Sequence, residues 1–481
     1  MQHTAKLLSF VLSLASLSSA SAQFKPDFKL KPDDFTVLMG VDAELSPGLN
    51  RISHSGHGKF HVAGWSRADQ NAVWKVTANT AGAHEAYVLI KRANNQPIAV
   101  SVSTGSQVLR ATVPANPYSW QRVRLEGLLD VPAGETSLTL NLAAADGKAE
   151  FSAEIHAVEL VRPEIHQALT QRALAMRADP SWFQKARYGM MVHWTKQSMP
   201  RQGDQKPYAQ AVEAFDVEAF ADTMKSTGAG FVVFTTSHAF QYFPAPLKSL
   251  DSILPGRTAT RDLPADLAAA LNKRGMKLFL YFHIGAHDDT EWLNTSGFWE
   301  TDTTKLFNHW KSIISEVGER YGDKLAGWWF DDGSTNYYYR SAPWESLAKA
   351  AKAGYPKRFI SFNSWDLNNP TQFHDYSTGE AIYEPRGIDS LLTPENHGIY
   401  PSGSHAGLQA SACLITDSNW VHTSRDTAPS GPRWNADQLT ELLKGFIKHK
   451  NVPIFNLEIT QDGQLSPESI QIFKEAAARL P

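Results

Sequence analysis

The residues best suited to chemistry in this sequence are a carboxylate and three histidines, each at the end of a short apolar run. Asp331 ends the run from Gly327, and His193, His238 and His283 end three others. A charge at the mouth of a buried segment is costly unless it is paired or used. An ionised carboxylate held beneath a sugar ring can attack the anomeric carbon. The pattern therefore predicts a functional site where these runs end, in which Asp331 has the placement that a sugar nucleophile needs.

A second carboxylate, Asp332, directly follows Asp331. Neighbouring side chains of a strand point to opposite faces, so only one of the two can face the interior of the fold. We expect Asp331 to be that residue, because it directly continues the apolar Gly-Trp-Trp-Phe run.

The elements that must position these residues are apolar β runs that alternate with helix-length segments. The runs are Tyr188 to Trp194, Gly230 to Thr236, Met276 to His283, Gly327 to Asp331, Phe359 to Ser364, Ser411 to Thr416 and Val452 to Leu457. Such alternation predicts parallel strands covered by helices. With an irregular run around Tyr376 to Tyr383, it predicts a (β/α)8 TIM-like barrel over residues 181–481. Active sites of such barrels lie at the carboxyl ends of the strands.

The residues before the predicted barrel have a different pattern of apolar and polar side chains. Residues 23–163 contain short runs of alternating apolar and polar residues, broken by turn sequences such as Asn94-Asn95 and Asp146-Gly147. This pattern predicts an all-β, jelly-roll-like sandwich. The Ala- and Arg-rich residues 164–180 predict a helical linker between the two domains.

The predicted sandwich resembles the carbohydrate-binding modules of exported glycosidases. The resemblance rests on a Trp-x-Val pattern at Trp74 and an Ala-Gly-x-x-x-Ala-Tyr pattern that ends at Tyr87. Trp65, Trp74 and Trp120 have two interpretations. They form a platform on which sugar rings stack, or they fill the core of the sandwich.

Composition and the first residues limit the class of protein. The chain of 481 residues is 42% hydrophobic and 20% charged, with a net charge of −3, which excludes a disordered chain and a basic nucleic-acid-binding protein. Lys6, an apolar run from Leu7 and small residues up to Ala22 predict a signal peptide at 1–22, cleaved after Ala22, and a secreted or periplasmic protein. No later run reaches the roughly 18 apolar residues of a membrane span.

The barrel half resembles glycoside hydrolase family 29, the α-L-fucosidases. Four segments support this resemblance: Trp182 to Trp194 for the family's Trp-Phe-x-x-Ala-Lys-Phe-Gly-Ile-Phe-Ile-His-Trp-Gly, Ser198-Met199-Pro200 for Ser-Val-Pro, Trp329-Phe330-Asp331 for Trp-x-Asp, and Asn456-Leu457 with the downstream Asp462-Gly463 for the closing strand. The resemblance runs from Trp182 to Ser469. It does not cover the β-rich N-terminal part.

The resemblance implies a retaining exo-glycosidase that removes terminal α-L-fucosyl residues from an oligosaccharide or polysaccharide. Asp331 would form a glycosyl-enzyme, and a second carboxyl group would act first as acid and then as base. Sugar contacts would come from His193, Trp194, His238, Tyr281 and Trp329. The family chemistry needs no cofactor and no metal, although His283, His287, Asp288 and Asp289 are residue types that bind metals.

The acid/base is open among several carboxylates. The segment Asp375 to Glu380 resembles the family's Asp-x-x-Thr-Pro-Glu, which favours Glu380. Asp375, Glu384 and Glu395 are the alternatives. Each of them is equally explained as a solvated loop carboxylate.

Three departures from the family pattern affect the sugar pocket. Ala239 follows His238 where the family has a second histidine, Thr195 follows Trp194 in place of glycine, and an expected Glu-Trp is missing. The sugar is therefore either fucose, a relative such as L-galactose, or a substituted fucose. An alternative of another class is a sugar-binding protein without catalysis, in which the sandwich performs the recognition.

Overall fold

The computed structural model describes residues 28–52, 60–92, 96–113, 120–147, 150–283, 285–286, 288–298, 300, 302–331, 342–363, 369–380, 392–403 and 405–480. The predicted signal peptide, Asp332, His287 and Glu384 lie outside these residues. In the described part of the chain, no helix combines the length and the apolar character needed to cross a bilayer.

Antiparallel strands form the first half of the described chain. They are β1 (Thr36–Met39), β2 (Glu44–Leu45), β3 (Asn50–Ile52), β4 (His61–Trp65), β5 (Asn71–Ala78), β6 (Gly82–Arg92), β7 (Ile98–Thr104), β8 (Gln107–Val113), β9 (Trp120–Arg124), β10 (Leu129–Val131), β11 (Gly134–Ala144) and β12 (Ala153–Val161). One sheet has the order β2-β5-β11-β7-β8, and the other has β10-β6-β12-β4-β3, with β1 on β12 and β9 on β6. Alternate residues of β7 are buried, as expected for a strand with one face in a core. The two sheets share one hydrophobic core.

The three tryptophans considered for a sugar platform are buried in this region. Trp65 and Trp74 belong to the shared core, and the Trp74 indole N–H donates to the Met39 carbonyl at 3.0 Å. Trp120 is also buried, and its ring centroid lies 5.7 Å from that of His61 and 5.9 Å from that of His156. The platform interpretation is wrong for these residues, because their rings are covered by protein.

A parallel sheet and its helices form the second half. The strands are β13 (Gly189–Val192), β14 (Phe231–Thr235), β15 (Lys277–His283), β16 (Leu325–Asp331), β17 (Phe359–Phe362), β18 (Ser411–Ile415) and β19 (Val452–Leu457). The helices are α1 (Pro163–Met176), α2 (Ser181–Ala186), α3 (Tyr208–Ala214), α4 (Val217–Ser226), α5 (Lys248–Ile253), α6 (Leu263–Lys273), α7 (Thr290–Thr295), α8 (Thr304–Tyr321), α9 (Trp344–Ala351), α10 (Ala436–Lys448) and α11 (Pro467–Ala478). The strand order β17-β16-β15-β14-β13-β19-β18 describes a curled, TIM-like sheet of seven strands.

The segment around Tyr376 lies between the two outer strands, β17 and β18. Tyr376 and Glu380 form isolated parallel bridges with Gln409 and Cys413, on the side of β18. On the side of β17, the Asp375 N–H donates to the Ile360 carbonyl at 2.8 Å. The segment thus contacts both edges of the sheet through backbone hydrogen bonds.

The strands present alternate side chains to the helices and to the interior. Trp328 and Phe330 of β16 belong to the core between sheet and helices, and the Phe330 ring lies 5.3 Å from that of Trp310 on α8. Trp329 belongs to a separate cluster of buried side chains on the other, interior face of the sheet, together with Phe279 and Tyr281. Every residue of β16 is buried, which is typical of a parallel strand covered on both faces. The alternation places Asp331 on the interior face, at the carboxyl end of the strand.

Candidate active site

Asp331 is held by two neighbouring strands. It is 9% exposed. Its Oδ2 accepts a hydrogen bond of 2.5 Å from the Tyr281 hydroxyl, and its Oδ1 accepts one of 3.0 Å from Nδ2 of Asn363. Tyr281 lies on β15 in register with Trp329, one interior position before Asp331. Because hydrogen bonds to a charged acceptor are strong, the orientation of the Asp331 carboxylate is fixed.

A second carboxylate, that of Glu380, contacts the same amide. Its Oε1 accepts a hydrogen bond of 2.8 Å from Nδ2 of Asn363, and Glu380 is 8% exposed. The Thr378 hydroxyl donates to the other end of this amide, Oδ1 of Asn363, at 2.9 Å. The two N–H bonds of an amide diverge by about 120°, which separates two acceptors by about 5 Å. The site therefore contains two carboxylates at a short, fixed separation.

The other acid/base candidates that the structure describes lie elsewhere. Asp375 forms a buried ion pair of 2.8 Å with Nζ of Lys352, and it also accepts hydrogen bonds from the backbone of Ala178 and Ile360. Glu395 is exposed and pairs with Lys448 at 3.1 Å. Of the candidates in the described residues, Glu380 is the one that the fold brings to Asp331.

His193 lies beside Tyr281 on the interior face. Its ring centroid is 4.8 Å from that of Tyr281, and its Nδ1 is 2.7 Å from Oδ1 of Asn456. The Asn456 amide N–H2 points to the carbonyls of Asn419 and Trp420, which leaves Oδ1 to accept from His193. Burial lowers the pKa of His193 to about 4, against the opposing effects of Asn456 and Asp331. The ring is therefore neutral at neutral pH, with Nε2 as a hydrogen-bond acceptor.

Two further histidines and a tryptophan continue the wall of the site. The His238 ring lies 5.4 Å from that of His193 and 5.7 Å from that of His283, between centroids. His283 is the register partner of Asp331 on the adjacent strand. The Trp420 ring lies 5.3 Å from that of His193 on the other side. These rings and Tyr281 are grouped at the carboxyl end of the sheet.

The two tryptophans predicted to contact sugar have different positions. The Trp194 ring packs against Phe215 at 5.2 Å and Phe234 at 5.9 Å, and its indole N–H donates to the Gln461 carbonyl at 2.9 Å. It belongs to the core between sheet and helices, so the prediction that Trp194 lines the pocket is wrong. Since His193 faces the interior, its neighbour must face outward. Trp329 faces the interior beneath Asp331, and its contact with sugar stays a prediction.

Sequence reasoning missed Asn363, Thr378, Asn456 and Trp420. Asn363 directly follows β17, so the strand-end rule that selected Asp331 was sufficient to find it. Asn456 lies in the segment that resembles the closing strand of the family, but no pattern in the neighbouring residues indicated a role for it. Trp420 lies in a loop, where no periodic pattern indicates which side chains turn toward the site.

One member of the group considered for metal binding, Asp289, has structural partners. Asp289 pairs with Arg257 at 2.9 Å and accepts the Trp292 N–H at the start of α7. Among the residues that the structure describes, no group of three or more His, Cys, Asp or Glu is arranged to bind a metal ion.

Two departures from the family pattern lie in one crevice beside His238. Thr195 and Ala239 both line it, together with Thr236 and Ser237. Lys196 lies at its edge, with Nζ 4.5 Å from the centroid of the Phe240 ring. Thr195 and Ala239 therefore both lie on the side of the site where His238 is located.

Sequence comparison connects the C-terminal part of the chain with known enzymes. The family model of the α-L-fucosidases matches residues 208–478. The tissue α-L-fucosidase of Homo sapiens is 26% identical over 207 residues, which are 36% of this chain and 41% of that enzyme. That of Mus musculus is 29% identical over 158 residues, or 26% of this chain and 33% of that enzyme. The chain thus matches less than half the length of these relatives.

Solved structures of bacterial α-L-fucosidases are similar at lower identity. An enzyme from Bacteroides thetaiotaomicron is 17% identical, with a TM-score of 0.48 over 63% of this chain and 74% of the other. An enzyme from Lactobacillus casei, in complex with its α-L-fucose product, is 18% identical, with a TM-score of 0.44 over 62% of this chain and 97% of the other.

Proposed function

Because the chain belongs to the α-L-fucosidase family, we propose that it is a retaining exo-glycosidase that removes terminal α-L-fucosyl residues from an oligosaccharide or polysaccharide. The proposal rests above all on the two carboxylates, Asp331 and Glu380, that share the amide of Asn363. Their separation of about 5 Å suits double displacement. An inverting pair needs roughly 6.5–9.5 Å to hold water between the carboxyl groups.

The two carboxylates have different roles in this reaction. Asp331 attacks the anomeric carbon, while the bond to the leaving oxygen breaks and Glu380 gives that oxygen its proton. Water then attacks the same carbon, Glu380 takes one of its protons, and the bond to Asp331 breaks. Two displacements restore the α configuration, and both carboxyl groups return to their starting protonation states.

The histidines provide acceptors for the sugar. A neutral His193 offers Nε2 to a sugar hydroxyl, and its orientation is fixed through Asn456. His238 and Tyr281 lie on the same side of the site, with ring centroids 6.1 Å apart. The Tyr281 hydroxyl also donates to Asp331, so it stabilises the nucleophile before attack.

Two further proposals concern the chain as a whole. We propose that the segment Phe373 to Glu380 is the eighth strand of a (β/α)8 barrel, since its backbone pairs with Ile360 and with Cys413. We also propose export with cleavage after Ala22, for which the first residues are the support. Mass spectrometry of the mature protein checks the cleavage, because the expected N-terminal residue is Gln23.

A related sugar is the second candidate substrate. The observation in its favour is that Thr195 and Ala239, where the family has glycine and histidine, line the same crevice beside His238. The loss of an imidazole there removes a hydrogen-bond donor or acceptor for a sugar hydroxyl. A fucose relative or a substituted fucose fits this change.

The test is hydrolysis of a panel of 4-nitrophenyl glycosides, followed by NMR of the first product. We expect activity on the α-L-fucoside or on a close relative, with an α-configured first product. Glu395→Gln is the matched control, since Glu395 is exposed, and it should leave the rate unchanged. A β-configured first product contradicts the retaining mechanism, and inactivity on every glycoside contradicts the proposed function.

A further inference from the structure

We propose that Asn363 is a positioning residue that selects which oxygen of Glu380 bears the transferred proton and stabilises the negative charge as it moves between the two carboxylates. This inference rests on the proposed function. Asn363 is fully buried directly after β17, where its backbone N–H donates to the Phe330 carbonyl at 2.7 Å. The side chain therefore starts from a fixed backbone position between β16 and the segment that ends at Glu380.

The orientation of the amide is fixed by the carboxylates that it contacts. An ionised Asp331 can only accept hydrogen bonds, so the N–H2 group of Asn363 must face the two carboxylates and Oδ1 must face Thr378. This buried residue donates its hydroxyl hydrogen to Oδ1 of Asn363 at 2.9 Å and holds the amide in that orientation. Thr378 is itself held, because the Cys413 N–H contacts the carbonyls of Thr378 and Gly379 at 3.1 and 2.7 Å. Thr378 and Glu380 are thus both anchored to β18 through Cys413.

The first consequence concerns the proton of the acid. Oε1 of Glu380 accepts an N–H from Asn363, and an oxygen that faces a donor hydrogen is a poor place for a second hydrogen. The proton of the neutral acid is therefore on Oε2. That oxygen gives its proton to the leaving group and later takes one from water.

The second consequence concerns the charge. Before the reaction Asp331 is ionised and Glu380 is neutral. In the glycosyl-enzyme Asp331 is an ester and Glu380 is ionised. One amide donates an N–H to each, so the stronger hydrogen bond shifts from Asp331 to Glu380 without movement of the amide. A donor already aimed at both positions lowers the barrier, because no reorganisation is needed.

The test compares Asn363→Ala with Thr378→Val and with a matched control. The control is Asn451→Ala, since buried Asn451 also accepts a threonine hydroxyl, that of Thr393 at 2.7 Å, but lies at the amino end of β19. Loss of a preorganised donor typically lowers the rate about 100-fold. We expect Asn363→Ala to lower kcat on the 4-nitrophenyl glycoside by about that factor, with KM changed less than about threefold.

The pH profile of kcat/KM separates this role from a purely structural one. Loss of a donor to an ionised carboxylate favours its protonation, so the acidic limb should move up by about one pH unit in Asn363→Ala. Thr378→Val should give a smaller shift of the same sign, and it provides the test if the alanine variant fails to fold. Asn451→Ala should leave the limb in place.

The outcomes distinguish this inference from the proposed function. A wild-type protein that hydrolyses no glycoside refutes the function. An active wild type whose Asn363→Ala variant keeps its kcat, or loses activity with an unmoved acidic limb, refutes the positioning role alone. An equal shift in Asn451→Ala also refutes it, because the effect is then general to buried asparagines.

Discussion

Two buried carboxylate sites lie toward opposite ends of the same parallel strands, and their partners differ. Toward the amino end, Asp375 is paired with the ammonium group of Lys352 at 2.8 Å and accepts the Ile360 N–H at 2.8 Å. At the carboxyl end, Asp331 and Glu380 share one neutral amide. Both sites are buried, so burial does not distinguish them.

The nature of the partners separates a structural carboxylate from a reactive one. A cation in contact stabilises Asp375 permanently, and the pair contributes to the fold. A neutral donor orients Asp331 but leaves its charge to interact with positive charge that develops on a sugar. At these two sites, the charge of the neighbouring groups differs, whereas depth in the fold does not.

The rings at the two ends differ in the same way. At the amino end, the Phe183 ring of α2 lies 5.0 to 5.1 Å from those of Phe231 and Phe359, between centroids. At the carboxyl end, His193 and Tyr281 take the corresponding interior positions. Apolar rings close one end of the sheet, while rings with polar atoms line the other.

The largest expected effect comes from Asp331→Asn, which removes the charge at the carboxyl end. The amide keeps the size of the side chain, so the fold should persist while kcat falls by about four orders of magnitude or more. Steady-state kinetics and a thermal melt of the same preparation check both expectations. Asp332→Asn should reduce the rate far less, and the reverse order would show that Asp332 is the nucleophile.

Glu380→Ala tests the other half of the same pair. A substrate with a good leaving group needs little protonation, so it should still form the glycosyl-enzyme. Azide should then accelerate the second step, because it attacks without a base. Rescue at Glu384→Ala in place of Glu380→Ala would move the acid/base role to Glu384 and leave that of Asp331 unchanged.

Lys352→Met should produce the next largest effect, on stability instead of rate. Removal of one partner leaves the buried Asp375 carboxylate without its cation, which costs about 3–5 kcal/mol of unfolding free energy. Urea unfolding measures this loss, and kcat per folded molecule should stay within about twofold. The double variant Lys352→Met with Asp375→Asn should regain part of the stability, because a neutral amide needs no cation and its oxygen can still accept one of the two backbone N–H groups. A comparable loss in kcat for Lys352→Met would contradict the distinction between the two ends.

Asp417 provides a smaller test, because it is another buried carboxylate, after β18. Burial raises its pKa to about 6, although hydrogen bonds from the Ser469 hydroxyl and the Glu458 N–H oppose the shift. The folded protein thus binds the proton more tightly than the unfolded chain, whose ordinary value is 3.8. This stabilisation is complete below pH 3.8 and is lost as the pH rises through about 6.

The measurement is urea unfolding of the wild type and of Asp417→Asn from pH 4 to pH 7. The stability of the wild type relative to the variant should fall by about 2 kcal/mol across this window, since one pKa unit corresponds to about 1.4 kcal/mol and the unfolded carboxyl is already partly ionised at pH 4. Asp437→Asn is the control, because Asp437 is exposed and pairs with Arg479. A difference that does not change with pH would contradict the raised pKa.

The smallest effect should follow removal of residues 1–162, which takes away the sandwich and keeps α1. The chain reaches the parallel sheet toward the amino end of its strands, where the Ala178 N–H donates to Asp375 at 2.7 Å, away from the proposed catalytic pair. We therefore expect kcat/KM on a small aryl glycoside to stay within about threefold. A larger loss in a folded truncation would show that the sandwich shapes the active site.

Local pattern was sufficient for much of the fold. The predicted run Gly327 to Asp331 corresponds to β16, Leu325–Asp331, because a strand covered on both faces is apolar along its whole length. The same alternation rule that set Asp332 apart from Asp331 applies to Trp194, which follows the interior His193. The error at Trp194 therefore came from transferring a family role without applying that rule.

The sequence by itself determined the residue types at the strand ends and the family of the C-terminal part, and it predicted Asp331 over its neighbour as the nucleophile. Only the tertiary structure decided that Asn363 lies between Asp331 and Glu380, which are 32 and 17 residues away from it along the chain. The tertiary structure also decided that Asp375 has its own cation. The physical reason is that the alternation of side chains is local, whereas contacts across strands depend on the register in which distant segments pair.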